Sequence, residues 1–286
     1  DYPRGMQFSA MIGDGQGMYV AEQDPTAARK TMTWSPNTAG GTVNYAISHP
    51  VLNWGADKPV HDYASQGDIV IGPFQGDWFD AAQIYRKWAI TAPWCNKGPI
   101  HQRKDYPQWL AKASYFTVGY PSDEHAIKEE YDKHAFYDVP LHVAHTYGYF
   151  FMQHMDDKYP EHFPPKLGSE NFKRVVSEWQ NAGIMVVPYV NGWVWDADTE
   201  SYRTEQAAKH AALWNKQGNL TTMTSYGGGQ SLVGMCPGSS LWREQLTKIS
   251  TELVGRYGTA GVYYDFFTTH TANCYNPAHG HPICGG

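Results

Sequence analysis

Short apolar runs separated by turn residues occupy most of the first hundred positions. They predict strands over 6–12, 17–21, 42–48 and 68–74, each bounded by Gly, Pro or Asn. Short strands at this spacing are typical of a β-sandwich or of part of one. Asp77 then predicts the N-cap of a helix over 78–90, in which Ala81, Tyr85 and Trp88 are spaced for one buried face.

After Pro107 the pattern changes to strands that alternate with amphipathic helices. Strands are predicted over 113–119, 141–147, 184–190 and 261–267. Helices are predicted over 123–134, 170–182, 202–216 and 240–257. Such alternation indicates βαβ units and a parallel sheet, and four units are typical of the first half of a (β/α)8 barrel. A doubly wound sheet is the alternative, but no glycine-rich phosphate-binding turn follows the first strand.

These patterns predict an α/β protein in two parts. Residues 1–106 are expected to form a β-sandwich portion and a linker helix. Residues 107–286 are expected to form the N-terminal half of a (β/α)8 catalytic barrel of the TIM type. Because the chain opens with Asp1 and carries no initiator Met or signal peptide, we interpret it as a processed or excised piece.

The composition indicates which kinds of ligand or macromolecule this chain could bind. Of the 286 residues 15% are aromatic, with 11 Trp and 20 Tyr, and only 17% are charged. Rings in such numbers serve either to stack on neutral ligands such as sugars or to fill a large aromatic core. The net charge is −6 and no basic run exceeds two residues, so nucleic acid is not expected as a partner. No apolar stretch approaches 18 residues, so no membrane span is expected.

Polar and aromatic residues collect where the predicted barrel strands end, which is where barrel enzymes place their chemistry. Asp265 directly follows the apolar residues of the fourth strand and is the candidate catalytic residue, because a buried carboxylate needs a function or a partner. Its structural alternative is a hydrogen-bond acceptor or a cap for the next loop. The candidate substrate-binding residues are His145, Tyr147, Asn191, Trp193, Trp195, Asp196, His279 and His281.

Four cysteines and a His-rich loop raise the question of a metal. His270, Cys274, His279, His281 and Cys284 lie close together in the sequence, and His and Cys are the ligands that zinc prefers. Their spacing matches no common structural zinc pattern, so the prediction is substrate contacts rather than a metal site. A Cys236–Cys274 disulfide is a further alternative, and no cofactor is expected.

Five runs carry a family resemblance that spans most of the chain. They are Gly76-Asp77-Trp78, Pro188-Tyr189-Val190-Asn191-Gly192, Met235-Cys236-Pro237, Gly261-Val262-Tyr263-Tyr264-Asp265 and Cys274-Tyr275-Asn276-Pro277-Ala278-His279-Gly280-His281. In this order they resemble a largely uncharacterised family of bacterial glycoside-hydrolase-like proteins. The implied fold is similar to the barrels of the retaining α-galactosidases and the endo-α-N-acetylgalactosaminidases.

The resemblance implies a retaining glycoside hydrolase, in which the Asp at the end of strand four is the nucleophile. That position is Asp265. The acid/base carboxylate of such barrels comes from a later strand, so the expected partners are a carbohydrate substrate and the remainder of the barrel. Cys284 departs from the family pattern of consecutive glycines.

A secreted or periplasmic location is expected for such an enzyme. Two alternatives from other classes remain: a catalytically inactive carbohydrate-binding protein on a hydrolase fold, and a metal-dependent hydrolase that uses the loop from His270 to His281.

Overall fold

The computed structural model divides the chain into two compact units, Asp1–Tyr106 and Pro107–Gly286, called here the first and second units. The residues that it describes are 6–53, 62–119, 124–137, 141–147, 158–166, 168–224, 229, 231–267 and 272–285. Within these residues no helix is both long and apolar enough to cross a membrane.

The first unit is an antiparallel β structure with one helix. Its elements are β1 (Phe8–Gly13), β2 (Gln16–Gln23), β3 (Thr31–Asn37), β4 (Thr42–Ser48), β5 (Asp68–Gln75) and α1 (Trp78–Ala89). β1, β2 and β5 form one sheet with β2 in the centre, and β3 pairs with β4 in a hairpin. The four predicted strands and the helix are confirmed. β3 was not predicted, because the polar sequence of Thr31–Asn37 with Pro36 lacks an apolar run.

Helix α1 begins at a capping box. The side chain of Asp77 accepts a hydrogen bond from the Phe79 amide at 2.8 Å, and Asp80 accepts one from the Asp77 amide at 3.0 Å. Gly76 precedes the cap with φ +115°, and a Cβ there would lie 1.9 Å from Asp80 Oδ2. The helix then buries Ala81 and Tyr85 against the sheet. The predicted N-cap is confirmed, and Gly76 is the residue that leaves room for it.

An ion pair is enclosed beside the sheet of the first unit. Lys30 Nζ lies 2.8 Å from Asp24 Oδ2 and 3.8 Å from Glu22 Oε2, and all three side chains are buried. Burial opposes ionisation of Asp24, but hydrogen bonds from Lys30 and Thr26 outweigh it and lower the pKa of Asp24 to about 2. The lysine ammonium is therefore compensated inside the fold.

The second unit is built on a parallel sheet. Its first elements are α2 (Gln108–Lys112), β6 (Tyr115–Gly119), α3 (Glu124–Tyr137), β7 (His142–Thr146), α4 (Ser169–Asn181) and β8 (Ile184–Asn191). After a longer excursion come α7 (Ser240–Thr251), a π-helical turn (Glu252–Arg256) and β12 (Tyr263–Asp265). β6, β7, β8 and β12 are parallel neighbours in that order. A curled sheet with sequential parallel strands is half of a barrel, and the alternation predicted from the sequence is confirmed to that extent.

The two faces of this sheet are covered differently. Helix α4 packs its apolar stripe (Phe172, Val175, Val176, Trp179) against one face, and Trp242, Leu246 and Ile249 of α7 belong to the same core. On the opposite face Phe116 and Val118 are 60% and 61% exposed, and Tyr263 is 42% exposed. The described residues therefore cover the outer, helical face of the half barrel and leave apolar side chains on its inner face in solvent.

Between β8 and α7 the chain makes a long excursion, residues 192–239. It contains β9 (Val194–Asp196), α5 (Glu200–Thr204), α6 (Ala207–His210), β10 (Thr222–Thr224) and β11 (Ser231–Gly234), and the three strands form an antiparallel sheet. The helix predicted over 202–216 is wrong. Gln206 adopts a left-handed conformation with φ +50° that ends α5, and Ala212 and Trp214 pair in β-bridges.

Candidate functional site

A group of rings lies where β7, β8 and β12 end. His145, Tyr147, Tyr189 and Tyr263 form this aromatic cluster. Tyr147 stacks on Tyr189 with ring centroids 4.4 Å apart, and the His145 ring lies 4.1 Å from that of Tyr263. In the register of β8 and β12, Tyr263 lies opposite Tyr189 and Asp265 lies opposite Asn191. The pair of rings is therefore followed, two residues nearer the carboxyl edge of the sheet, by the pair of polar side chains. Parallel pairing thus brings these side chains together from distant parts of the sequence.

Asp265 is the last residue of β12 and is half-buried. Its Oδ1 accepts a hydrogen bond from the Phe266 amide at 2.9 Å, and its Oδ2 accepts one from the Tyr189 hydroxyl at 3.3 Å. Phe266 turns the chain away with φ +60°, which ends the strand after three residues rather than at the predicted residue 267. The carboxylate is therefore held by two donors at the edge where a barrel enzyme binds substrate.

His145 is electrostatically coupled to this carboxylate. Burial lowers the pKa of the His145 imidazole, and the negative charge of Asp265 opposes part of that shift. A neutral imidazole can donate from one nitrogen and accept at the other, which suits contact with a sugar hydroxyl.

Asn191 links the strand edge to the following loop. It is fully buried, and its Oδ1 accepts hydrogen bonds from the amides of Trp193 at 2.9 Å and Val194 at 3.1 Å. Its Nδ2 lies 3.4 Å from the Tyr189 hydroxyl, which in turn donates to Asp265. The amide thus connects the loop conformation to the position of Asp265, and it is a positioning residue in this structure.

Trp193, Trp195 and Asp196 were predicted as substrate contacts, and the structure places them in the core of the second unit. Trp195 is 0% exposed, and its indole N–H donates to Ser201 Oγ at 3.2 Å. Buried Asp196 accepts from the amides of Asp198 at 2.9 Å and Lys158 at 3.2 Å. In this structure Trp195 packs in the core, and Asp196 holds the loop through backbone amides. Either side chain could contact a ligand only if it gave up these contacts.

His279 and His281, also predicted as substrate contacts, lie beside two cysteines. His281 Nε2 is 3.2 Å from Cys236 Sγ, and His279 Nδ1 is 3.5 Å from Cys274 Sγ. Both cysteines are free thiols, so the disulfide alternative is not formed. A hydrogen bond between the thiols lowers the pKa of Cys274 and raises that of Cys236. His270, the other histidine of the loop, lies outside the described residues.

Two residues of the aromatic cluster were not among the predicted site residues. Tyr189 and Tyr263 each precede a predicted residue by two positions, Asn191 and Asp265 respectively. Side chains two apart on a strand point to the same face. That spacing is the signal that could have identified both tyrosines.

The parallel half barrel of this chain is similar to the folds of solved glycoside hydrolases. Two solved structures show this. The α-N-acetylgalactosaminidase NagBb from Bifidobacterium bifidum has a TM-score of 0.69 at 12% identity, covering 98% of this chain and 46% of that chain. The cycloalternan-degrading enzyme from Trueperella pyogenes has a TM-score of 0.55 at 13% identity, covering 96% and 38%. Identities this low show the fold alone.

The chain belongs to the family DUF6259, described as a domain of unknown function, which matches residues 63–286. A Bacteroides thetaiotaomicron protein provisionally named a glycoside hydrolase is 29% identical over 289 residues, which cover 98% of this chain and 40% of that protein. A Monosiga brevicollis protein with the same provisional name is 26% identical over 291 residues, covering 91% and 24%. The chain therefore spans less than half the length of these relatives. The resemblance identified from the sequence motifs is confirmed.

Proposed function

We propose that this chain is part of a glycoside hydrolase whose active site lies at the carboxyl ends of β7, β8 and β12. The observation that carries the proposal is Asp265, a carboxylate held by two donors at the carboxyl edge of the sheet beside the aromatic cluster. Rings contact the C–H faces of sugars, and a carboxylate reacts at the anomeric carbon. The names of the relatives and the fold of the solved enzymes support the same class.

The proposed mechanism is retaining. An oxygen of Asp265 attacks the anomeric carbon and forms a covalent glycosyl ester as the bond to the leaving oxygen breaks. A carboxyl group outside this sequence gives its proton to the leaving oxygen and then takes a proton from the water that hydrolyses the ester. The Tyr189 hydroxyl orients Asp265, while His145 and Tyr147 contact sugar hydroxyls and faces.

The proposal includes the remainder of the barrel. The exposed inner face at Phe116 and Val118 is the surface that further strands of a complete (β/α)8 barrel would cover. In the same proposal the first unit is part of a β-sandwich. We also propose that the protein is secreted or periplasmic, because most polymeric glycans occur outside the cytoplasm.

The test is sugar release from a broad glycan panel by the full-length parent protein and by three variants of it. Asp265→Asn should lose at least about a thousandfold in turnover, since the bond from the nucleophile to the anomeric carbon is absent in the bound substrate and begins to form in the transition state. Asp198→Asn is the matched control, because Asp198 is exposed in the nearby excursion. In the third variant, Asp265→Ala, azide should restore turnover and yield a glycosyl azide of inverted configuration.

Three outcomes would contradict the assignment. Equal activity of Asp265→Asn and the parent would remove Asp265 from catalysis. A matching loss of activity and thermal stability in that variant would assign Asp265 a structural role. Glycan binding without release by the parent would favour the second candidate, a binding protein on a hydrolase fold.

A further inference from the structure

Four potential metal ligands converge in the second unit, outside the proposed active site. The ligand atoms of Cys236, Cys274, His279 and His281, called here the Cys–His cluster, all lie within 4.8 Å of one another. Two sulfurs and two imidazole nitrogens form a donor set of structural zinc sites. Tetrahedral bonds of about 2.3 Å to sulfur and about 2.0–2.1 Å to nitrogen separate neighbouring sulfur and nitrogen ligands by about 3.5 Å. The observed S–N separations of 3.2 and 3.5 Å match that spacing.

The imidazoles are oriented from outside the cluster. His281 Nδ1 lies 2.9 Å from the Pro282 carbonyl, to which it donates, so Nε2 is the nitrogen with the free lone pair. That nitrogen faces Cys236. His279 Nε2 lies 2.9 Å from the side-chain amide nitrogen of buried Asn276, which donates to it, so Nδ1 carries the ring proton and faces Cys274 Sγ. Ligation of a metal by Nδ1 requires that this proton move to Nε2 and that Asn276 give up the contact. A metal-bound His characteristically donates from its other ring nitrogen to a fixed acceptor, as His281 Nδ1 does to the Pro282 carbonyl.

Burial decides which kind of metal site this can be. Cys236 and Cys274 are completely buried, and His279 is 9% exposed. Four protein ligands complete a tetrahedron and leave no position for water or substrate. The arrangement therefore fits a structural ion and not the metal of a hydrolase.

The cluster joins two segments that share only a small apolar contact and a few hydrogen bonds among the described residues. Cys236 lies near the end of the excursion, and the other three ligands lie in the loop 272–285, which follows β12. The apolar cluster at this place consists of Leu213, Cys236 and Cys274 only among the described residues. The other links are hydrogen bonds: the Tyr275 amide donates to the Trp214 carbonyl at 3.0 Å, and Asn276 Nδ2 donates to the carbonyls of Lys209 at 2.8 Å and Ala212 at 3.3 Å. Metal ligation contributes folding free energy where a hydrophobic core is this small.

We propose that Cys236, Cys274, His279 and His281 bind one structural zinc ion, which fastens the loop 272–285 to the excursion. This replaces the sequence-based expectation of no metal. It also differs from the alternative of a metal-dependent hydrolase, because the ion would take no part in chemistry. The proposal does not depend on the proposed function.

The first test is the metal content of the protein, purified without chelators or an immobilised-metal column and equilibrated with one equivalent of zinc. Elemental analysis should find one zinc per chain after gel filtration. X-ray absorption at the zinc edge should show two sulfur and two nitrogen neighbours, and cobalt substitution should give the visible bands of a tetrahedral thiolate site. Substoichiometric zinc, or a shell of oxygen ligands, would overturn the proposal.

Variants then assign the ligands. Cys236→Ser and His281→Ala should each lose most of the bound zinc. Cys284→Ser is the matched control in the same loop, since Cys284 lies outside the cluster and donates to the Tyr275 hydroxyl at 3.3 Å. It should retain one equivalent. Equal loss in Cys284→Ser, or a Cys236–Cys274 disulfide in the unreduced protein, would refute the assignment. If the ligand variants fail to fold, the stoichiometry and the ligand shell of the unaltered protein decide the question.

Discussion

Stability below neutral pH should depend on one buried histidine, His162. The residue is fully buried, and desolvation lowers the pKa of its imidazole from 6.5 to about 3. The folded state therefore holds His162 neutral, whereas the unfolded chain protonates it below about pH 6.5. Between these two pKa values the unfolded state binds one more proton, so the free energy of unfolding falls as the pH falls.

The structure sets the size of this effect. The pKa difference of about 3.5 units corresponds to about 5 kcal/mol at about 1.4 kcal/mol per unit, fully present above pH 6.5 and lost as the pH falls to about 3. That is a large part of the 5–15 kcal/mol typical of a domain. Urea unfolding, followed by tryptophan fluorescence from about pH 7 to about pH 4.5, measures the slope. Below about pH 5.5 His162→Gln should flatten it by close to the full 1.4 kcal/mol per pH unit, whatever the variant loses at neutral pH.

An exposed histidine provides the control for the burial of His162. His210 is exposed at the end of α6, and His210→Gln should leave the pH slope unchanged. Equal slopes for His162→Gln and the unaltered protein would show that His162 is not held neutral, and the burial argument would fail. A histidine resonance of the folded protein that titrates normally and disappears in His162→Gln would refute it as well.

Two further predictions concern the first unit. Asp24→Asn removes the closer of the two carboxylates beside buried Lys30 but leaves Glu22 at 3.8 Å and the hydrogen bond to Gln7. The loss in urea unfolding should therefore be near the lower end of the range for broken buried pairs, about 3 kcal/mol, and a loss below about 1 kcal/mol would contradict the prediction. Gly76→Ala should lower the free energy of unfolding by about 2 kcal/mol or more, because its Cβ meets Asp80 and disrupts the capping box. Gly98→Ala is the control, with positive φ but open space around its Cβ, and should lose about 1 kcal/mol; equal losses would refute the role of the cap.

The fold was predictable where each element carries its own pattern. The strands and helices of the second unit alternate with clear apolar stripes, and α4 buries the four residues that its spacing indicates. The excursion between β8 and α7 was not predictable in the same way. Its strands have three or four residues, too short for a periodicity, and their pairing depends on partners up to 40 positions apart. There the apparent helix of 202–216 gives way to bridges because tertiary hydrogen bonds outweigh local propensity.

In the candidate site, too, residues with a local sequence signal were predictable and residues whose role depends on tertiary contacts were not. Asp265 was identifiable because its signal is local: an acidic residue directly after an apolar strand. Trp193 and Trp195 were assigned to the rim because composition favoured sugar stacking, yet a large aromatic side chain after a strand fills the core just as readily. The exposure of the ring decides between these roles, and exposure depends on the excursion that folds over it.

The Cys–His cluster could be assembled only in part from the sequence. Cys274, His279 and His281 stand close together in a pattern unlike common zinc motifs, and the fourth ligand lies 38 positions earlier, before α7. A zinc finger is recognisable because all its ligands belong to one short unit that folds around the ion. In this chain α7 and β12 separate Cys236 from the other three ligands. Because β12 pairs in parallel with β8, the loop 272–285 that follows β12 returns to the excursion that follows β8. The complete set of four ligands is identified only when the topology is known, because the topology supplies the spacing that the sequence lacks.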